Sequence, residues 1–326
     1  MNTTGSRLSS LRNGIADRRI LLVALILLTG VVMSAISPYF LQIDNLLSMT
    51  QYGAIIGLLA LGQAIVILGG GGGIDLSIGS IMSLSAVAMG LGTQYLGMNP
   101  WLAAVVAIAV GVGLGAVNAF LIAALKLPPL IVTLSTLFLY GSLALVITGG
   151  GQLGGFDSAG FPALGQSTLV GIPTQVVAVL LPAFAIAIWA QHRTRFGRRL
   201  LQIGTSEKAA ALADVSVSRL RFSFYCISGA LAALAAVVSN AWLLTARPGA
   251  GLGLELLAIT IAVLGGIDIF GGRGHLSGVF LAVLLVVVLT SGLQLAGVGN
   301  SIQGGILGLL LVAAALLNNL VARRGR

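Results

Sequence analysis

The clearest candidate for chemistry is a run of glycines that ends in an acid: Leu68-Gly69-Gly70-Gly71-Gly72-Gly73-Ile74-Asp75-Leu76-Ser77-Ile78-Gly79-Ser80. Glycine-rich loops cradle phosphates when Gly-Lys-Ser/Thr follows. The two lysines of this chain are Lys126, after Leu125, and Lys208, after Glu207. Neither fits a nucleotide loop, and no ATPase is recognisable in the chain. Each glycine costs a helix up to ~1 kcal/mol relative to alanine, so five in succession cannot hold a lipid-exposed helix together. Backbone unwound at membrane depth must be buried in protein or line water. A charged Asp75 adds ~2.5–3.5 kcal/mol at mid-bilayer and much less at the interface. Transporters build pathways from such broken helices. A plain cytoplasmic turn with Asp75 as the N-cap of the next helix is the other reading, and the two are compatible.

A second stretch repeats four of these residues: Leu264-Gly265-Gly266-Ile267-Asp268-Ile269-Phe270-Gly271-Gly272-Arg273-Gly274-His275. A duplicated half is one explanation. His275 and His192 are the only histidines and Cys226 the only cysteine. With no Cys cluster beside them, a metal site is not expected, and no intrachain disulfide is possible.

Of the 326 residues 57% are hydrophobic and 8% charged, and the mean hydropathy is +1.07. Soluble domains carry about 25% charged residues, so a soluble enzyme, a nucleic-acid binder and a disordered chain are excluded. Ten apolar segments approach the ~20 residues that cross ~30 Å of hydrocarbon: 20–37, 51–69, 76–93, 100–125, 129–148, 170–190, 222–244, 252–270, 275–292 and 300–321. Two are weak. Segment 76–93 is rich in Ser and Gly, and 252–270 holds Glu255 and Asp268. With the N-terminus placed inside and the sides alternating, every basic residue except Arg247 falls on the inner side, sixteen of seventeen. The net charge of +9 therefore reads as membrane orientation. The predicted architecture is all-α and polytopic, with about ten transmembrane helices, some broken, and both termini cytoplasmic. Residues 1–19 form a cytoplasmic N-terminal segment, 20–321 the transmembrane domain and 322–326 a cytoplasmic tail. Glycine numbers 46, and Gly111, Gly113 and Gly115 suit close helix approach. The outer segment 149–169 reads as a loop or a short surface helix.

The largest inner loop, about 191–221, predicts a small capped helix. Ser206 is the N-cap, Glu207 lies in the first turn where the dipole favours an anion, and an Ala-rich body follows. Such a helix is a natural handle for a partner protein; a solvated connector binding headgroups through its arginines is the alternative.

At these residues the chain resembles the permease subunits of bacterial ATP-binding cassette importers for ribose and related sugars, a family that includes the autoinducer-2 permeases. The resemblance covers about 38–320. It rests on Gly73-Ile74-Asp75-Leu76-Ser77-Ile78-Gly79-Ser80, on Pro128-Pro129-Leu130-Ile131-Val132-Thr133-Leu134, on Ile203-Gly204-Thr205-Ser206-Glu207-Lys208-Ala209-Ala210, and on Glu255-Leu256-Leu257-Ala258-Ile259-Thr260 with the glycines that follow. The chain departs from the family in its five glycines where two are common, in Asn118-Ala119 where Asn-Gly is common, and in lacking a glycine at Ala213-Asp214. The resemblance implies a multi-pass protein of the bacterial inner membrane that makes no covalent bond. It implies pairing with an identical or related second permease, separate ATPase subunits that hold ATP and Mg, and a periplasmic sugar-binding protein; this chain itself binds no cofactor. The helix near 204–216, with Gly204, Ser206, Glu207, Ala209, Ala210 and Asp214, would dock in an ATPase groove.

Polar residues inside apolar helices are functional candidates by default. Here they are Gln63, Asp75, Asn118, Thr133 and Glu255, with Ser135 and Asn240 also considered, and interhelical hydrogen bonding is the competing role. Glu255, near the outer end of a helix, suits either capping or contact with the binding protein. Two other transport readings stand beside the sugar importer. A branched-chain amino acid permease would favour a charged pair along the path, and the interior holds few acids and almost no base. An ion-coupled secondary transporter would need a mid-membrane ion site. A membrane enzyme would need a clustered catalytic set, which the sequence lacks.

Overall fold

The structure, a computed structural model, describes residues 3–299, 302–306, 308–310 and 312, with side chains from Arg19 onward. The chain is helical almost throughout. The helices are α1 (Thr3–Ile36), α2 (Ile43–Leu68), α3 (Ile78–Leu96), α4 (Pro100–Ala123), α5 (Pro129–Thr148), α6 (Pro162–Gln166), α7 (Leu181–Arg193), α8 (Arg195–Thr205), α9 (Glu207–Leu212), α10 (Val217–Leu243), α11 (Leu254–Leu264) and α12 (Leu276–Leu295). A π-helical turn, Val176–Leu180, leads into α7, and a two-stranded ribbon pairs Thr168–Leu169 with Ile172–Pro173. Local chemistry sets the ends. Pro100 opens α4 behind Asn99, whose side chain accepts from the Trp101 amide at 2.9 Å. Left-handed Gly97 and Gly149 close α3 and α5, the usual role of a glycine past a last turn.

Seven helices among the described residues are long and apolar enough to cross a membrane. The chain is an all-α polytopic membrane protein. Nine of the ten predicted segments overlap a helix, but the two weak ones, at α3 and the short α11, are not among these seven. The tenth, 300–321, lies largely outside the described residues, although 302–306 and 308–310 are helical. Segment 252–270 is corrected: only Leu254–Leu264 is helical, about 16 Å of rise and half a membrane. Pro248 and left-handed Gly253 precede it, and Gly265 and Gly266 end it. The approach to α11 is therefore non-helical. It begins at the Leu153–Ala246 bridge and brings Gly251 against Gly79 at the start of α3.

Helix α2 is the centre of the bundle, with every residue from Gly53 to Leu68 buried. It is flanked by α10, α11 and α12, and α10 in turn packs along α3 and α4. The α4–α10 crossing is backbone on backbone: a Cβ on Gly111 would lie 2.5 Å from the Gly229 carbonyl oxygen, and one on Gly115 would strike that of Tyr225. Small residues allow this approach where apolar burial gives helices no drive to associate in lipid. Gly113, on the opposite face, meets nothing within 4 Å, so the close-approach expectation fails there. Segment 149–169 holds α6, whose Gly165 packs on the α10 backbone at Ala241 and Trp242.

One end of the bundle gathers the base-bearing connections. Ser218 donates to the Ala123 carbonyl (3.0 Å), Gln191 to that of Gly274 (2.9 Å), and the Gly272 amide to that of Leu68 (3.0 Å). These bonds bring Lys126, the arginine-rich 191–221 loop and Arg273 to a common end. Arg247 follows Ala246, which bridges Leu153 at the other end.

Candidate functional site

Both Gly-Gly-Ile-Asp stretches are helix-ending turns built alike. Gly69 closes α2 at φ −65°, ψ −10°, and Gly265 closes α11 at −67°, −7°. Positive φ follows at Gly70 (+68°) and Gly266 (+97°). Each acid then accepts from the amide two residues on, Asp75 Oδ1 from Ser77 at 3.0 Å and Asp268 Oδ1 from Phe270 at 3.0 Å. They differ in depth. Asp75 is fully buried, whereas Asp268 is half-buried beside the exposed Phe270.

The depth of Asp75 comes from a partner on α2. In the amide orientation that satisfies both groups, Gln63 donates to the Asp75 carbonyl at 2.9 Å and accepts from its N–H at 3.2 Å. Gln63 lies six residues before Gly69, about 9 Å back along the helix. The segment after α2 thus re-enters the bundle in unwound form, and its exposed peptide groups bond to a side chain, as buried backbone requires.

Around Asp75 the helices converge. Ser77 Oγ donates to Asp75 Oδ1 at 2.6 Å and Ser228 Oγ of α10 to Oδ2 at 2.8 Å. Asn118 of α4 donates to Ser77 Oγ at 2.7 Å. Tyr140 of α5 donates to the Leu114 carbonyl at 3.2 Å and reaches Asn118 Oδ1 at 3.5 Å. Thr133 donates to the Ile74 carbonyl at 3.0 Å. Four of the five path candidates, Gln63, Asp75, Asn118 and Thr133, therefore belong to one buried network, each fully excluded from solvent. Among the described residues no basic side chain joins it, so hydroxyls and amides alone solvate the carboxyl group. Glu255 stands apart, in the first turn of α11, accepting from the Gly253 amide at 3.2 Å beside Gly79. Ser135 is exposed and bonds within its own helix, and Asn240 donates to the Ala86 carbonyl at 3.2 Å.

Sequence reasoning missed Ser228 and Tyr140 as members of this network. Ser228 sits in an apolar helix beside Gly229, and nothing in its own stretch points to Asp75, 153 residues away.

The second assembly lies at the basic end. Gly204, at the end of α8, is wedged between the two glycine turns. A Cβ there would collide with the Leu68 carbonyl and the Gly272 amide; Gly70 presses on Gly204, and Gly271 in turn presses on Gly70. The predicted capped helix follows at once as α9. Ser206 accepts from the Ala209 amide at 3.2 Å, and Glu207 in the first turn pairs with Arg221 of α10. That ion pair lies against Gly71 of the first turn. Ala210 is buried and anchors α9. Lys208, Ala209 and Ala211 are exposed, and Leu212 is 92% exposed. Asp214, left-handed at φ +57°, ends the helix facing solvent. A cleft of about 420 Å³ lies between α8 and α9, with Gln202, Thr205 and Ala209 on its wall. Five of the six coupling candidates thus cluster on or beside α9, and Gly204, two residues before its cap, faces inward.

Comparison with known proteins gives this arrangement a family. The profile described as "Branched-chain amino acid transport system / permease component" matches residues 45–315. The chain is 38% identical over 309 residues to an autoinducer 2 import system permease protein, LsrD, of Klebsiella pneumoniae, covering 93% of this chain and 91% of that one. It is 37% identical over 289 residues to the ribose import permease protein RbsC of Bacillus subtilis, covering 88% of each. It is 34% identical over 300 residues to LsrD of Escherichia coli K12, covering 90% of each. No solved structure matches. Relatives at this identity span nearly the whole chain, and the family profile runs from α2 past α12, so the chain belongs to the family of transport-system permease components.

Proposed function

We propose that this chain is the membrane-spanning subunit of an ATP-binding cassette importer for a simple sugar, ribose-like or autoinducer-2, in a bacterial inner membrane. The observation that carries the reading is the near full-length match to permeases named for ribose and autoinducer 2. The α9 geometry supports it. A short capped helix with an exposed leucine stands at the basic end, and the hinge glycine two residues before its cap touches both turns that brace the interior. In this reading the basic end faces the cytoplasm and α9 seats in a groove of a separate ATPase subunit. ATP and Mg belong to that subunit, and the permease chain holds neither. A second permease, the same or related, completes the gate, and a periplasmic binding protein delivers the sugar.

The proposed mechanism is differential binding and gating. Displacement of α9 on ATP binding moves Gly204, and Gly204 bears on the Gly70 and Gly272 turns. The first turn is continuous with the re-entrant segment that ends at Asp75. Gln63, Asp75, Asn118 and Thr133 then serve as the braced wall of the route, with Glu255 at the mouth of the half-length helix α11. A wall of hydroxyls and amides suits a neutral polyol. A zwitterionic amino acid would call for a basic partner that the network lacks.

Uptake by vesicles containing the chain, its ATPase and the binding protein tests the proposal. Accumulation of labelled ribose or autoinducer-2 should require ATP and the ATPase. Uptake driven by an ion gradient alone would overturn the importer reading, and ATP-driven uptake of leucine in place of sugar would overturn the substrate class.

A further inference from the structure

A groove of about 560 Å³ runs between α2, α7, α10 and the start of α12, away from the polar network. Its volume lies within the ~300–1,000 Å³ usual for ligand sites. Ile65 of α2, Ala187 and Ala190 of α7, and Ile227 and Leu231 of α10 line its length. The two polar side chains on its wall are already engaged. Gln191 donates to the Gly274 carbonyl and accepts from the Leu276 amide at 3.0 Å, and Thr194 donates to the Ala190 carbonyl at 2.7 Å. No wall group is left over to recognise a polar solute, so the occupant is aliphatic.

One end of the groove has different chemistry. Thr194, Phe196 and Leu200 line that end, and they alternate along the chain with Arg193, Arg195 and Arg199. Arg195 and Arg199 lie outside the groove wall, and among the described residues the only ion pair is Glu207–Arg221. Helix α8 is strongly amphipathic, burying Leu200 and Ile203 and leaving Arg198 and Arg199 outward. Such a helix rests in the headgroup layer with its arginine stems along apolar surface.

We propose that the groove is a lipid site for an anionic phospholipid: one acyl chain lies between α7 and α10, and the headgroup phosphate meets the arginines at the α7–α8 junction. Charge complementarity selects an anionic lipid over a zwitterionic one, and the absence of free polar groups inside selects a chain over a headgroup alone. Because α8 leads directly to Gly204, a lipid seated there bears on the hinge of α9. The site itself does not depend on the transported substrate.

Native mass spectrometry of the purified full-length chain tests this, with phosphatidylglycerol or phosphatidylcholine added to delipidated protein. The wild type should retain phosphatidylglycerol in preference. Arg195→Gln with Arg199→Gln should lower that retention about fivefold for each charge removed and leave phosphatidylcholine unaffected. Ala187→Trp should reduce retention of both lipids, with Ala183→Phe as a second groove-filling variant should the first not fold by circular dichroism. Equal retention of the two lipids by wild type would overturn the proposal. So would phosphatidylglycerol that persists in the groove-filled variants, which would mark adsorption by headgroup alone. Absence of any retained phospholipid would do the same and indicate that another protein segment or a second copy covers the groove.

Discussion

Gly204 and Gly272 touch backbone to backbone, so the end of helix α8 and the second glycine turn have no side chain between them. Movement of one is movement of the other, because no rotamer can absorb it. On the proposed importer reading, Gly204→Ala should therefore separate ATP hydrolysis from uptake. A Cβ there forces α8 off the Leu68 carbonyl and the Gly272 amide. ATP hydrolysis by the assembled complex should persist while sugar uptake falls at least tenfold. Gly113→Ala, whose added methyl meets nothing within 4 Å, is the control and should transport normally. Parallel loss of hydrolysis and uptake in Gly204→Ala would indicate a folding defect and sink the coupling role.

Asp75 accepts from the Ser77 amide, the Ser77 hydroxyl and the Ser228 hydroxyl. An asparagine in its place would keep the shape but offer one acceptor oxygen, setting an amide N–H₂ against a hydroxyl that now donates. A buried donor or acceptor left unmatched costs about 1–3 kcal/mol. Asp75→Asn should lower the detergent-solution melting temperature. Ser228→Ala, which removes one donor and leaves the carboxyl two, should cost less. A ranking with Ser228→Ala the more damaging would remove Asp75 from the centre of the network.

How much of this was legible depends on the range of the contact. The α9 helix was readable because its cap, acid and alanines are neighbours in sequence, and Ser206 caps it as expected. The glycine run announced an unwound segment for the same reason. That Gln63 braces it was not readable, since Gln63 looks like any polar residue on a helix until the chain returns past it. Ser228 and Tyr140 were hidden for a stronger reason: their partners arrive from other helices, and an apolar helix with one hydroxyl carries no sign of where it points. The half-length of α11 was only partly legible: Glu255 and Asp268 mark segment 252–270 as a weak span, but hydropathy does not show where the helix starts and stops. Left-handed Gly253 before it and the Gly265-Gly266 turn after it, not hydropathy, bound it.

Leu212 is 92% exposed at the tip of α9, and on the proposed docking helix so exposed an apolar side chain is one that a partner surface would bury. Burying a leucine is worth about 1.5–3 kcal/mol, so Leu212→Asp should weaken retention of the ATPase subunit by about 10- to 100-fold in a co-purification assay. The fold of the permease should be unaffected, because so exposed a side chain supports no packing. Unchanged ATPase retention would show that α9 docks through another face or not at all.

His275, the N-cap of α12, stacks on His192 with ring centroids 5.3 Å apart and planes at 19°. Burial lowers its basicity first, and the charges of Arg19 and His192 lower it further, below the ordinary 6.5. The folded protein therefore binds the ring proton less readily than the unfolded chain, which takes it up first as pH falls. Stability is fully present above about 6.5 and declines below it, toward the folded-state value, with a slope of at most about 1.4 kcal/mol per pH unit and less for a partly exposed ring screened by solvent. The melting temperature should fall between pH 7.5 and 5.5 in wild type and fall less in His275→Gln, which is uncharged at both. An equal fall in the two proteins would place the titrating group elsewhere.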